Sequence, residues 1–314
     1  MAELAASARK VLDMLAASGQ PTLDQLPPPM ARQGADMGLV ALQGEEEAVA
    51  DVRDLNAPGP GGDIPMCLYR PAGSTADQAL PVLMYFHGGG FVIGSLPLYD
   101  RMCRALANAA GCAVVSVDYR LAPETRFPGA VDDCIAATRW VAEQAASLKL
   151  DAGRLAVGGD SAGGNLATVV ALDARDNGGP AIRYQLLIYP VTDARGGRPS
   201  HEENAEGYFL TGDLMAYFLG HYLGDNPPVS DWRVSPLLAA DHSGLPPASV
   251  LVCGFDPLRD DGIAYADALR KAGVPVRFTQ LDDQIHGCFN MDGAIPEART
   301  ALRKLGAELR EVLA

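Results

Sequence analysis

The sequence predicts an α/β protein in which a mostly parallel central sheet is flanked by helices. From residue 82 onward, short runs of apolar residues alternate with longer segments that have helical periodicity. The short runs are apolar at nearly every position, which is typical of parallel strands that are buried on both faces. The chain of 314 residues is long enough for one large α/β unit with additions.

The individual elements can be predicted in order from the N-terminus. Residues 2–18 carry the apolar stripe of an amphipathic helix, and the proline run 27–29 is expected to end this N-terminal segment. Two strand-like runs, 47–55 and 64–70, flank a turn that is rich in proline and glycine, so we expect a hairpin. The later strands are predicted at 82–86, 113–118, 155–158, 184–189, 249–253 and 274–281, and the helices at 98–110, 130–147, 164–176, 260–272 and 296–313.

The segment 191–230 interrupts this alternation. It is polar and rich in glycine at first, and then aromatic and amphipathic. Because it follows a strand, it leaves the carboxyl edge of the sheet, where open α/β sheets bind ligands. We expect it to form a helical cap together with the N-terminal segment 1–45, over a core composed of residues 46–190 and 231–314. Such a cap either gates access to a site or is a packed pair of surface helices.

Charge and cysteine spacing exclude several classes of partner. The net charge of −14 provides no cationic surface for nucleic acid or an anionic membrane. Residues 1–20 contain charges and no apolar signal-peptide core, and no apolar run approaches the roughly 18 residues of a membrane span. The six cysteines show no zinc-binding spacing, so we interpret them as buried thiols. We therefore expect a cytoplasmic protein without a metal.

Ser161 is the candidate nucleophile of this chain. It is the central residue of a Gly-x-Ser-x-Gly sequence, Gly159–Gly163, which lies between the apolar run 155–158 and a helical segment. A sharp turn from strand to helix leaves no room for side chains at the flanking positions, which explains both glycines. Such a turn raises the serine above the sheet edge, over the positive end of the following helix.

A serine nucleophile needs a base, and the position of His286 fits that role best among the five histidines. His286 follows a predicted strand, and Asp256 follows the strand before it. This gives the chain order serine, acid, histidine, with each partner in a loop after a later strand. The rival acids are Asp260, Asp261, Asp282 and Asp283. The first two are expected to open the next helix, and the other two are too near the histidine in sequence to reach behind its ring.

Three consecutive glycines, Gly88, Gly89 and Gly90, follow His87 directly after the predicted strand 82–86. Glycines allow backbone N–H groups to approach a developing oxyanion, so we expect an oxyanion loop here. A phosphate-binding loop is the alternative, but neither of its glycine patterns is present. His87 itself is expected to order the loop through hydrogen bonds rather than to act as an acid or base.

Taken together, these motifs resemble the hormone-sensitive-lipase-like (bacterial type IV) family of carboxylesterases, within the α/β-hydrolase superfamily. The matching stretches are His87–Phe91, Asp118–Glu124, Gly159–Gly164, Ser235–Leu238, Asp256–Asp260 and Ile285–Gly287. The resemblance implies a triad of Ser161, Asp256 and His286, and an oxyanion hole to which the N–H of Ala162 contributes. It also implies an α/β-hydrolase fold with a helical cap, no cofactor and, in many members, a homodimer. Cys288 stands where the family usually has phenylalanine, which leaves the fine substrate preference open.

The predicted function is therefore that of a serine carboxylesterase, which hydrolyses short- to medium-chain acyl esters through an acyl-enzyme intermediate. A lipase or an amidase with the same triad is one alternative. A non-catalytic small-molecule receptor is the other, as in the plant gibberellin receptors, which resemble this family but have lost the histidine. The presence of His286 argues against the receptor.

Overall fold

A central sheet of eight strands organises the protein, and the computed structural model describes it within residues 3–314. The strands are β1 Asp51–Gly59, β2 Gly62–Arg70, β3 Leu80–Phe86, β4 Ala113–Val117, β5 Leu150–Asp160, β6 Ile182–Ile188, β7 Ala248–Phe255 and β8 Val276–Ile285. Their spatial order is β1-β2-β4-β3-β5-β6-β7-β8. β2 is antiparallel to β1 and β4, whereas the other neighbouring pairs are parallel. The predicted mostly parallel sheet is confirmed.

Helices cover both faces of this sheet. They are α1 Ala6–Ala17, α2 Pro28–Val40, α3 Leu96–Ala110, α4 Gly129–Glu143, α5 Ala145–Leu148, α6 Ala162–Asp176, α7 Pro199–Glu203, α8 Gly212–Leu223, α9 Arg259–Lys271 and α10 Pro296–Leu313. α3 and α10 pack on one face, and α4, α6 and α9 pack on the other. Within residues 3–314, none of the helices is both long enough and apolar enough to cross a membrane.

The strands are apolar throughout because both of their faces are buried. All residues of β3 are buried. Leu83 and Tyr85 belong to the core beneath α3 and α10, whereas Val82, Met84 and Phe86 belong to the core on the opposite face. Each fully buried side chain of this size contributes about 1.5–3 kcal/mol relative to an exposed one. Burial of both faces therefore favours the central position of β3 in the sheet.

Two local predictions are corrected by the structure. The proline run 27–29 does not end the N-terminal segment but begins α2, because proline lacks only an N–H that the first helical turn cannot use. β1 continues through Pro58 to Gly59, since an edge strand tolerates proline. The first two residues of the predicted cap segment 1–45, one of them in the predicted helix 2–18, lie outside the described residues.

The N-terminal segment and the inserted segment lie together over the carboxyl edge of the sheet. The hydroxyl of Tyr217 in α8 donates to the backbone oxygen of Leu26, just before α2. Arg32 of α2 pairs with Glu124 and also donates to the backbone oxygen of Val92, which follows the glycine loop. α2 and the residue before it, Leu26, are therefore tied both to the inserted segment and to the loop beneath it. The exact limits of the cap stay a prediction.

Candidate active site

Ser161 lies in the turn between β5 and α6, in a backbone conformation that is unusual for a residue with a side chain. Its φ is +55°, in the left-handed region. The surroundings require glycine on both sides, as the sequence indicated. A Cβ at Gly159 would lie 2.4 Å from backbone atoms, and one at Gly163 would lie 1.8 Å from the backbone oxygen of Phe86. The tight turn therefore presents the serine hydroxyl at the sheet edge.

The structure brings the Ser161, His286 and Asp256 side chains into one hydrogen-bonded chain. The Nε2 atom of His286 lies 3.0 Å from Oγ of Ser161, and its Nδ1 atom lies 2.8 Å from Oδ2 of Asp256. Because a carboxylate only accepts, Nδ1 carries the proton and Nε2 is left as the acceptor that faces the serine. Asp256 is fully buried, and its Oδ1 atom accepts from the N–H of Leu258 at 2.8 Å.

The rival acids are placed elsewhere. Asp260 and Asp261 lie in the first turn of α9 and hold α7 of the inserted segment. The N–H of Ser200 donates to Asp260 at 2.9 Å, and Nε2 of His201 lies 2.6 Å from Asp261. This contact with the Asp261 carboxylate raises the pKa of His201. Asp282 accepts from the side chain of its strand neighbour Gln280.

The glycine loop after β3 offers fewer free donors than its sequence suggests. The N–H of Gly88 donates to Oδ1 of Asp160 at 2.9 Å and to the hydroxyl of Tyr99 at 3.0 Å, so Gly88 is already engaged, although it was among the candidate oxyanion donors. The N–H groups of Gly89, Gly90 and Ala162 have no hydrogen-bond partner among residues 3–314. Gly89 and Gly90 have φ values of +115° and +59°, which side chains rarely tolerate. These three N–H groups are the free donors beside Ser161.

His87 is buried and has no access to the site as an acid or base. Burial lowers the pKa of its imidazole to about 4, so the ring is neutral at ordinary pH. Its Nδ1 atom lies 2.8 Å from the backbone oxygen of Gly88, and its ring stacks on that of Tyr119 at 4.3 Å. The hydroxyl of Tyr119 donates to the backbone oxygen of His87. His87 therefore orders the loop, as expected.

Asp160 is the residue of this region that the sequence analysis missed. Its carboxylate is only 2% exposed, and it accepts from the hydroxyls of Tyr85 and Tyr99 as well as from Gly88. The variable position of a Gly-x-Ser-x-Gly sequence carries no general meaning, so the motif did not point to it. An acid just after the apolar run 155–158 was the available signal, because a buried carboxylate requires donors.

A mostly apolar cavity opens over Ser161. Its apolar walls come mainly from the N-terminal and inserted segments and include Leu23, Leu39, Phe209, Leu214, Met215 and Phe218. Phe218 lies directly on the loop, since a Cβ at Gly90 would be 2.1 Å from its ring. Among the described residues, no lysine or arginine lines this cavity and no cluster of side chains could hold a metal.

Cys288, whose position two residues after His286 left the fine substrate preference open, is buried away from this cavity. Its Sγ atom lies 3.9 Å from that of Cys253 in β7, and its side chain is fully buried. It is not among the residues that line the cavity. The other cysteines are buried free thiols as well, as the spacing of the six predicted.

Comparison with known proteins agrees with this arrangement. Residues 83–290 match a family model for the alpha/beta hydrolase fold. Esterase LipI of Mycobacterium tuberculosis is 46% identical over 266 residues, which cover 83% of this chain and 82% of the relative. Ethyl acetate hydrolase of Pseudomonas putida is 40% identical over 274 residues, which cover 87% of this chain and 86% of the relative.

A solved structure extends the similarity to nearly the whole chain. An ester hydrolase from the metagenome of Lake Arreo, complexed with a derivative of bipyridine phosphonate, is 43% identical to this protein. The match covers 98% of each chain with a TM-score of 0.95. The matched family model alone spans more than half of the chain. The chain therefore belongs to the α/β-hydrolase family, in its hormone-sensitive-lipase-like group of carboxylesterases.

Proposed function

We propose that this protein is a serine carboxylesterase in which Ser161 is the nucleophile, His286 the general base and acid, and Asp256 the group that orients the histidine. One observation carries the proposal: the unbroken chain from the serine hydroxyl through both imidazole nitrogens to a buried carboxylate, with contacts of 3.0 and 2.8 Å. These hydrogen bonds give the serine proton a route to the imidazole at neutral pH, which a serine without a neighbouring base does not have.

The reaction follows from the direction of these contacts. As Oγ of Ser161 attacks the ester carbonyl carbon, its proton moves to Nε2 of His286. The imidazolium then protonates the departing alkoxide, which leaves an acyl group on the serine. His286 then removes a proton from an entering water molecule, whose oxygen adds to the acyl carbon. The second tetrahedral intermediate collapses by breaking the bond to Oγ, and the imidazolium returns the proton to Ser161 as the free acid leaves. Asp256 keeps the proton on Nδ1 throughout and stabilises the imidazolium.

The free N–H groups of Gly89, Gly90 and Ala162 are the proposed donors to the oxyanion of both tetrahedral intermediates. Each well-placed donor of this kind is worth about 3 kcal/mol in the transition state. Ala162 is also the first residue of α6, so the positive end of that helix lies at the same place. Every step is thus assigned to a group of the chain itself, and the proposed reaction uses no cofactor.

The cavity favours neutral esters with small apolar groups. Most of its apolar lining is leucine, methionine and phenylalanine side chains of the N-terminal and inserted segments, and covering an acyl chain with these side chains is favourable. None of the described residues lining it is a lysine or an arginine that would pair with an anionic substrate. We therefore assign short- to medium-chain acyl esters as substrates. Ethyl acetate, from which the relative ethyl acetate hydrolase takes its name, is an ester of this class.

A series of p-nitrophenyl esters from acetate to palmitate tests this assignment. We expect the highest kcat/KM between acetate and octanoate, and a loss of about 10⁶ in kcat for the Ser161→Ala protein, with an unchanged circular dichroism spectrum. Near-normal turnover by that variant would reject Ser161 as nucleophile. A preference for emulsified palmitate ester would indicate a lipase instead. Turnover of p-nitroanilides at a comparable rate would indicate an amidase, and ester binding without turnover would indicate a receptor.

A cytoplasmic location and a homodimer also belong to this proposal. The location rests on the cysteines, all of which are buried free thiols, and the dimer rests on the family resemblance. Fractionation of cells and sedimentation of the purified protein test the two statements separately. Recovery outside the cytoplasm, or a monomer at all concentrations, would overturn the corresponding one.

A further inference from the structure

We propose that Asp160 is a positioning residue that holds the oxyanion loop, His87–Gly90, with its free N–H groups turned toward Ser161. The inference rests on the proposed function, because the loop matters only if an oxyanion forms there. Asp160 also lines the cavity, but its hydrogen bonds go to Tyr85, Gly88 and Tyr99 and not to Ser161 or His286. It acts through the backbone of Gly88, which lies between its carboxylate and the two glycines that are free to donate.

The Asp160 carboxylate is held rigidly in the protein interior. Its Oδ1 atom accepts from the N–H of Gly88 at 2.9 Å and from the hydroxyl of Tyr85 at 2.8 Å. Its Oδ2 atom accepts from the hydroxyl of Tyr99 at 2.9 Å, and Asn290 donates to that hydroxyl in turn. A carboxylate that is 2% exposed is costly unless donors surround it, and here three are provided.

The peptide unit that joins His87 to Gly88 is hydrogen-bonded at both ends, to Asp160 and to Tyr119. The N–H of Gly88 donates to Asp160, and the carbonyl oxygen of His87, in the same peptide unit, accepts from the hydroxyl of Tyr119 at 2.6 Å. A peptide unit is planar, and in its trans form the N–H and C=O point in opposite directions. With both ends bonded, this unit cannot rotate about its axis.

The next two peptide units are oriented by their carbonyl groups. The oxygen of Gly88 faces Nδ1 of His87 at 2.8 Å, and the oxygen of Gly89 accepts from the N–H groups of Val92 and Ile93. Since each N–H points opposite to the carbonyl of its own unit, the N–H groups of Gly89 and Gly90 are turned the other way, toward the cavity. Glycine moves easily between backbone conformations, so this orientation depends on the anchor that precedes it.

The Asp160 carboxylate packs closely against the backbone of the loop. A Cβ at Gly88 would lie 2.5 Å from Oδ2 of Asp160, so a glycine is needed for the carboxylate to approach the backbone. An asparagine at 160 would still offer one oxygen to Gly88, but it would lose the negative charge and one acceptor. An alanine would lose the carboxylate contact altogether and leave the N–H of Gly88 with only the hydroxyl of Tyr99, which itself loses its acceptor on Asp160.

Substitutions in this network separate a positioning role from a purely structural one. Asp160→Ala should lower kcat for p-nitrophenyl acetate by about 10²–10³, as loss of an oxyanion donor does, and Asp160→Asn by about tenfold. KM should change by less than about threefold in both, because the ground-state ester does not use the donors. Tyr184→Phe is the matched control: it removes a buried tyrosine hydroxyl in the same core, which contacts Ser249 at 2.9 Å and has no hydrogen bond to Asp160 or the loop, so it should lower Tm and leave kcat within about threefold.

A trifluoromethyl ketone gives a second readout, because it forms an oxyanion on the serine. Its inhibition constant should rise by the same factor as kcat/KM falls in the Asp160 variants. The proposal is overturned if Asp160→Asn keeps kcat within about twofold, if Tyr184→Phe loses as much kcat, or if Asp160→Asn fails to fold. Failure of the wild-type protein to hydrolyse any ester would instead refute the proposed function. Full wild-type activity together with an unaffected Asp160→Asn variant would refute only this inference.

Discussion

The Asp256→Asn substitution gives the sharpest prediction about the triad, because the structure fixes which way the new amide must face. Oδ1 of Asp256 accepts from the buried N–H of Leu258, and Oδ2 accepts from Nδ1 of His286. Asparagine has only one oxygen. If that oxygen stays with Leu258, the amide NH₂ faces Nδ1, so the imidazole must place its proton on Nε2. A protonated Nε2 cannot take the proton of Ser161.

The size of the effect follows from the two orientations of the amide. Turning the oxygen toward His286 restores the productive tautomer but sets the NH₂ against the N–H of Leu258, which costs about 1–3 kcal/mol. The variant also lacks the charge that stabilises the imidazolium. The combined loss expected is about 10⁴ in kcat, or about 5 kcal/mol of transition-state stabilisation.

Hydrolysis of p-nitrophenyl acetate at saturating substrate measures this loss. Asp282→Asn is the matched control and should keep wild-type kcat. Asp282 is also close to His286 in sequence, but within residues 3–314 its carboxylate accepts only from the side chain of Gln280. Both proteins should retain the wild-type circular dichroism spectrum. An Asp256→Asn protein within about tenfold of wild type would refute the orientation argument.

Two further substitutions test the loop and the cap. Gly90→Ala places a Cβ 2.1 Å from the ring of Phe218 at a φ of +59°, and the left-handed backbone alone costs about 1–2 kcal/mol. We expect kcat to fall by about tenfold or more, with partial recovery when Phe218→Ala is added; an unchanged kcat in the single variant would contradict the donor role of the loop. His201→Gln removes the ion pair with Asp261, whose hydrogen bond raises the pKa of His201. The stability from this pair is full below about pH 6.5 and is lost as the pH rises through the higher folded value. The Tm difference between wild type and His201→Gln should therefore shrink from about pH 6 to about pH 9, and a constant difference would count against the pair.

The fold could be predicted from the sequence because its signals are local. Runs that are apolar at every position alternate with helical segments, and this pattern fixes a mostly parallel sheet without knowledge of any contact. The candidate triad followed from topology. Residues after successive parallel strands meet at one edge, so the positions of Ser161, Asp256 and His286 along the chain were informative although 125 residues separate the serine from the histidine.

The remaining features depend on contacts that no local pattern encodes. The sequence could not distinguish Gly88 from Gly89 and Gly90 as an oxyanion donor. In the structure its N–H donates to Asp160, which lies 72 residues further along the chain. The proline run 27–29 looked like a breaker, yet the same residues are favourable in the first turn of a helix. Cys288 lies two residues after His286 in sequence, but its side chain points into the core beside Cys253.

Covalent labelling of the native protein tests most directly whether Ser161 is a nucleophile activated by His286. Incubation with diethyl p-nitrophenyl phosphate, followed by peptide mass spectrometry, locates the modified residue and its occupancy. We expect a single diethylphosphoryl group on Ser161, loss of esterase activity in proportion to its occupancy, and little labelling in a His286→Ala protein. Full modification at another residue, or ester hydrolysis that persists when Ser161 is completely modified, would contradict the assignment.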